Sequence, residues 1–137
     1  MSAVFGNDLD KVLCFPALVV SKAGWSKLGQ TALEISDASP DDDLSNWRGA
    51  AVYDSAGRRF LVERCFVKWP ATAVGRLSAR LFDHVIHVGM VLEELAPLPL
   101  EDFKALACEL DGIEPKEQWT SQRNVLDALW QERGPPL

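Results

Sequence analysis

Residues Ala50–Trp69, AAVYDSAGRRFLVERCFVKW, decide how the chain is read. The run folds back on itself at Ser55-Ala56-Gly57-Arg58, where Gly57 suits the left-handed position of a short loop because it has no Cβ to clash there. Val52 and Tyr53 lead into the turn, and Phe60, Leu61, Val62, Phe66 and Val67 lead out. Such β-branched and aromatic side chains fit a pleated, half-buried surface. Phe60 and Val62 alternate, Glu63-Arg64 breaks the phase, and Cys65, Val67 and Trp69 resume it one residue later. A β-bulge at Glu63-Arg64 would keep all five on one face. The alternative is a strand covered on both sides, with Leu61 and Phe66 also buried.

Upstream, Leu9–Val20 reads as one strand interrupted by Pro16, placed at an edge or bulged because proline donates no ladder hydrogen bond. Ser21 offers an N-cap for a helix over Ala23–Ile35, with Trp25, Leu28, Ala32 and Ile35 on one face. Gly24 and Gly29 each weigh against that helix by about 1 kcal/mol. Ser36–Asn46 reads as a loop, since its Ser, Asp, Asn and Pro residues favour local side-chain bonds.

Downstream, Ala71–Phe82 is a linker with one or two helical turns, carrying Arg76 and Arg80. Asp83–Leu95 predicts a strand with Ile86, Val88, Met90 and Leu92 on one face and Val85, His87, Gly89 and Val91 on the other. Both faces are mostly apolar, which places it in the centre of the sheet. Leu100–Leu110 is an amphipathic helix with the stripe Phe103, Leu106, Ala107, Leu110, acids Glu101 and Asp102 in its first turn and Gly112 as its stop. A last helix covers Thr120–Glu132, capped by Thr120, with Val125, Leu126, Leu129 and Trp130 on its apolar edge. The expected fold is a single α+β domain spanning 1–137, in the order β-α-β-β-β-α-α. Its mainly antiparallel sheet carries helices packed on one face.

A chain of 137 residues with 47% apolar and 25% charged side chains has an ordinary globular composition, long enough for a core without staples. The apolar run Val12–Val20 is too short for a membrane span, and the residues before it are net acidic where an export leader is basic. A cytoplasmic location is expected. Cys14, Cys65 and Cys108 are odd in number, far apart and outside any CxxC spacing, so they read as three small buried hydrophobes.

The net charge of −6 is uneven: residues 47–92 hold seven bases against three acids, while 93–137 hold ten acids against four bases. An acidic exterior repels nucleic acid and anionic membrane and attracts a basic partner. Asp41-Asp42-Asp43 is the densest charge, yet consecutive carboxylates diverge and no calcium-loop pattern is present, so no metal is expected there. His84 and His87 lie three apart on a strand and face opposite ways, which disfavours a shared metal. No phosphate-binding glycine loop, nucleophile elbow or zinc-binding helix motif occurs, and no catalytic residue, metal or cofactor is assigned.

Five tryptophans are many for this length, and Trp47 and Trp119, flanking loops, are the expected exposed pair. With Asp37, Asp41, Asp42 and Asp43 they form the expected partner-binding patch.

Two stretches, LDKVLCFPALVV at Leu9–Val20 and VYDSAGRRFLV at Val52–Val62, resemble a group of small uncharacterised bacterial proteins. In those, a strand opening is followed by a hairpin turn, a long hydrophobic strand (here Val85–Glu93) and a helix (here Leu100–Ala107). In size and acidity they are similar to immunity proteins of secreted, polymorphic toxin systems. The resemblance implies a non-enzymatic protein that neutralises a basic, toxin-like cognate partner by direct binding, and it carries over no functional residue. One alternative is a small-molecule binder or small enzyme with a pocket between the sheet and the C-terminal helices, with His87 and Arg64 as its polar cluster. Another is a homo-oligomeric module pairing through the edge strand Leu13–Val20.

Overall fold

A computed structural model describes residues 4–5, 9–38, 44–69 and 86–133, together with positions 74, 77 and 81. In chain order the elements are β1 (Val4–Phe5), α1 (Leu9–Val12), β2 (Ala17–Val20), β3 (Ser26–Gly29), α2 (Ala32–Ser36) and β4 (Asp37–Ala38). A 3-10 turn (Leu44–Asn46) precedes β5 (Ala51–Tyr53), β6 (Arg59–Trp69) and β7 (Ile86–Leu95). The long helices α3 (Leu100–Asp111) and α4 (Gln122–Arg133) are the last elements described. Val74, Leu77 and Leu81 also have helical backbone.

Every strand pair is antiparallel, in the order β1-β7-β6-β5-β2-β3. β4 pairs with β7 at Asp37↔His87, so β1 and β4 share the edge of β7 that β6 leaves open. Alternation along the strands splits the core in two. Ala17, Val19, Val52, Phe60, Val62, Val88, Met90 and Leu92 pack with Leu9, Leu13, Ile35 and Trp47 on one face. Leu18 and Tyr53 turn the other way, under Phe103, Ala107, Cys108, Trp119, Val125, Leu126 and Leu129. The α+β class and the placement of both long helices on one face agree with the sequence. The short helices α1 and α2 close the opposite face.

The bulge read from the sequence is present. Val62 pairs with Leu92 and Arg64 with Val91, which skips Glu63 and returns Cys65 to the side of Met90. The extra residue restores the inward phase after one misplaced step. A second shift between Val67 and Trp69 interrupts the series before its end.

The turn between β5 and β6 does more than reverse the chain. Gly57 takes φ +83° and donates its N–H to Asp54 O at 3.3 Å. Asp54 is fully buried, and its carboxylate accepts from the N–H groups of Ala56 (3.1 Å) and Arg58 (3.0 Å) within the loop. It also accepts from Cys14 N at 3.1 Å and from Arg58 Nε and Nη2 at 3.0 and 2.7 Å. Arg58 reaches on to the Val12 carbonyl, while Ser55 donates its Oγ–H to Pro16 O at 2.7 Å. Gln122, the first residue of α4, donates Nε2–H to the carbonyls of Asp54 (2.8 Å) and Arg58 (3.1 Å). One carboxylate thus ties the hairpin tip to the N-terminal segment, and one buried amide ties it to the last helix.

Several expectations are corrected. Leu9–Val20 is not one strand: Leu9–Val12 is helical, the Phe15–Pro16 peptide is cis, and only Ala17–Val20 enters the sheet. β2 is internal, paired with β3 and β5, so it offers no edge for pairing between copies. β7 lies next to the sheet's end, not at its centre.

Ala23–Ile35 is not a helix. Ser21 Oγ accepts from Ala23 N at 2.9 Å, a local turn bond competing with helix formation, and Gly24 takes φ +99°. The chain returns as β3. The short helix α2 then begins behind Thr31, whose hydroxyl accepts from Glu34 N at 3.2 Å while Glu34 Oε2 accepts from Gln30 N. This is close to a capping box, and Thr31-x-x-Glu34 was its legible signal. The cap of α4 is Ser121 (Asn124 N to Oγ, 3.1 Å), one residue beyond the expected Thr120. Gly112 stops α3 in the left-handed region, at φ +66°, as expected.

Two variants check this account. A Cβ on Gly29 would lie 2.7 Å from Ile35 Cγ2 and 2.9 Å from Glu34 Cβ. Gly29→Ala is therefore expected to destabilise by about 1–3 kcal/mol through overpacking, whereas in an open helix it would stabilise by about 1 kcal/mol. The sign of the shift in a urea midpoint decides. Asp54→Ala orphans three backbone donors and the Arg58 guanidinium and is expected to cost about 3 kcal/mol, read from the same unfolding curve.

Candidate functional site

Among the described residues, those expected to meet a partner are not gathered on one exposed patch. Asp41, Asp42 and Asp43 lie outside the described residues. Asp37 sits in β4, half-buried, with Oδ1 3.0 Å from His87 Nδ1 across the β4–β7 pair. Its backbone carbonyl accepts from Lys27 Nζ.

Trp47 and Trp119 are not exposed: they keep 3% and 7% of their surface. Trp47 packs edge-on against Trp25, centroids 4.9 Å apart, with Lys27 Nζ 5.8 Å from its ring. Trp119 closes the helix-covered core, with Lys116 Nζ 5.8 Å from its ring. Trp47 buries because the short segments around it cannot cover the sheet face without a large apolar side chain. Their burial corrects the expectation that they are an exposed pair.

Among the described residues, exposed negative charge is concentrated on α3 and the connection that follows it. Glu101, Asp102, Glu109, Glu114 and Glu117 are all exposed. The buried ammonium of Lys104 lies 3.5 Å from Glu101 Oε1, and Arg123 Nε lies 3.8 Å from Asp127 Oδ2. Two of the few bases in this third of the chain are thus engaged within its own helices.

On the sheet, the bulged Glu63 hydrogen-bonds Glu93. That shared bond, with some burial and the repulsion of a second carboxylate, holds the Glu63 carboxyl above its ordinary value, while Arg64 works against the shift.

The other candidate groups are scattered. His84 lies outside the described residues, and His87 faces Asp37, not Arg64. Arg64 lines a cleft with Arg48 and Cys65, and no residue of α3 or α4 is among its lining. The expected pocket between the sheet and the C-terminal helices is therefore not where Arg64 lies, and that interface is occupied by packed core side chains.

All three cysteines are free; Cys108 is buried and Cys65 half-buried, but Cys14 is exposed, which corrects the expectation of three buried thiols. Burial pushes the Cys65 thiol up to about 11, so it is protonated at neutral pH and unsuited to nucleophilic attack. Among the described residues no three His, Cys, Asp or Glu side chains gather so as to hold a metal ion, and no helix is long and apolar enough to cross a membrane.

Comparison with protein-family models, with curated proteins and with solved structures returns no match.

The Glu63–Glu93 pair gives a pH-dependent expectation. A carboxyl whose pKa is raised on folding favours the folded state at low pH. Its ionisation penalises the fold as pH rises through the carboxylate range. Glu63→Gln is expected to leave Tm unchanged well below pH 4 and to raise it at pH 7. A thermal-melt series from pH 3 to pH 8 measures this, and a shift of equal size at both ends would show the pair to be uncoupled.

Proposed function

We propose that this chain is a non-enzymatic binding protein of the immunity type, which neutralises a basic, toxin-like cognate partner in the cytoplasm by covering it. The observation that carries the reading is the run of exposed carboxylates Glu101, Asp102, Glu109, Glu114 and Glu117. They lie on and just after a helix whose buried side is locked into the core by Phe103, Ala107 and Cys108. A rigid helix bearing uniform charge steers an oppositely charged protein and raises its association rate, while close contacts set the dissociation rate. The resemblance of LDKVLCFPALVV and VYDSAGRRFLV to small bacterial proteins of immunity-like size and acidity points the same way. The tryptophans have no part in the surface now proposed. Asp41, Asp42 and Asp43 remain candidates for the same partner.

The test is co-expression with the product of the neighbouring gene, followed by co-purification and a growth assay for protection. A stable complex and restored growth are expected. Glu101→Lys with Asp102→Lys and Glu109→Lys is expected to slow association by about tenfold or more at low salt, with little effect at high salt. A chain that neither binds its neighbour nor protects the cell overturns the reading.

A further inference from the structure

We propose that the cleft beside the β6 bulge is a binding site for a small organic anion, a carboxylate or phosphate ester carrying a short apolar or aryl group. The proposal stands apart from the protein-binding reading and uses a different surface.

The bulge creates the cleft. By inserting Glu63 it re-aims the strand, so that Arg64 comes beside the 3-10 turn Leu44–Asn46 and Arg48 just after it. Both arginines line one hollow of about 420 Å³. That is within the range of roughly 300–1,000 Å³ typical of small-molecule sites.

Among the described residues neither guanidinium lies within 4 Å of a carboxylate, although Arg64 is near enough to Glu63 to oppose the rise in its pKa. Two cations lining one hollow repel each other, and an anion between them turns that repulsion into attraction on both sides. The planar guanidinium fork also matches the paired oxygens of a carboxylate or phosphate. The net charge of −6 means that a basic cleft here is a local arrangement and not a property of the whole surface.

The rest of the lining fixes the second half of the ligand. Leu44, Phe66 and Val91 supply apolar wall. Phe66 is held in place from below: it pairs with Gly89, and a Cβ there would lie 2.4 Å from Phe66 Cζ. The missing side chain is what lets the ring tip descend onto β7. The ring remains 39% exposed, a large apolar surface left open on this side of the sheet. Charge and apolar wall meet in one cleft, which suits an anion with a hydrophobic body better than a bare ion.

The experiment titrates the full-length protein with phenyl phosphate and, separately, with inorganic phosphate, following heat or amide chemical shifts. Saturable binding of phenyl phosphate, tighter than inorganic phosphate, is expected. Arg48→Gln and Arg64→Gln, both exposed in the parent, are each expected to weaken it by about tenfold, the effect of one lost charge-assisted contact. Phe66→Leu is expected to weaken phenyl phosphate while leaving inorganic phosphate unchanged. Thermal melts of all three variants confirm that they are folded. Absence of saturable binding by the parent overturns the proposal. So does undiminished binding by a folded Arg48→Gln/Arg64→Gln double variant, or equal affinity for the two phosphates. None of these outcomes bears on co-purification with a partner protein, so the two readings fail separately.

Discussion

The buried carboxylate of Asp54 is the constraint on which the architecture rests. A charge withdrawn from water is tolerated only when its lone pairs are filled, and here backbone donors and a forked guanidinium fill them. Those donors come from the hairpin's own loop and from Cys14, 40 residues earlier. The partly exposed Arg58 bears opposing effects: burial disfavours its charge, but the bonds and attraction to Asp54 prevail and hold its pKa above the ordinary value. Gln122 adds the third strand of the tie by capping the carbonyls of the same loop. The segments before β2, between β5 and β6, and at the start of α4 are therefore positioned by one polar cluster and not by apolar packing alone.

From that cluster the two cores divide the labour. The face with Phe60, Val62, Met90 and Leu92 is closed by short pieces, α1, α2 and the turn bearing Trp47, which explains why a tryptophan is needed there. The other face has two regular helices whose apolar stripes meet Leu18 and Tyr53, the latter 5.1 Å from Phe103 between ring centroids. Regular helices leave a regular outer surface, and that is where the exposed carboxylates collect. The bulge in β6 brings Arg64 beside the 3-10 turn Leu44–Asn46, where the arginine-lined cleft lies.

What the sequence made legible follows from how local the signal was. The hairpin, the bulge at Glu63, the α3 stripe and the Gly112 stop are each written within a dozen residues, and each is present. Ser21–Ile35 misled because its three- and four-residue apolar spacing imitates a helix. The governing facts were a local Ser21 turn bond and the close approach of Gly29 to Ile35, a contact between neighbouring elements that periodicity does not encode. Asp54 was overlooked for a related reason: in the string VYDSAGRR it reads as an ordinary turn acid, and its remote partners, Cys14 and Gln122, carry no sequence mark. Trp47 and Trp119 were assigned to the exterior from the loops that flank them, although loop position says little about burial: Trp47 fills a sheet face that has no long helix over it, and Trp119 closes the core under the two long helices. The acidic character of the last third was legible as composition, and its concentration on α3 and the following connection required the fold.

The hairpin tip at Ser55–Gly57 looks at first like the natural place to splice in a tag or a reporter, since tight turns between exposed strands usually accept extra residues. Here Ser55 is buried and its neighbours are knotted to both the beginning and the end of the chain. An insertion at that point would pull on two distant segments at once. The Ser21–Trp25 turn, with Lys22, Ala23 and Gly24 facing solvent, is the better site for engineering. The same difference suggests where length variation among relatives should accumulate, in the turn before β3 and not in the one after β5.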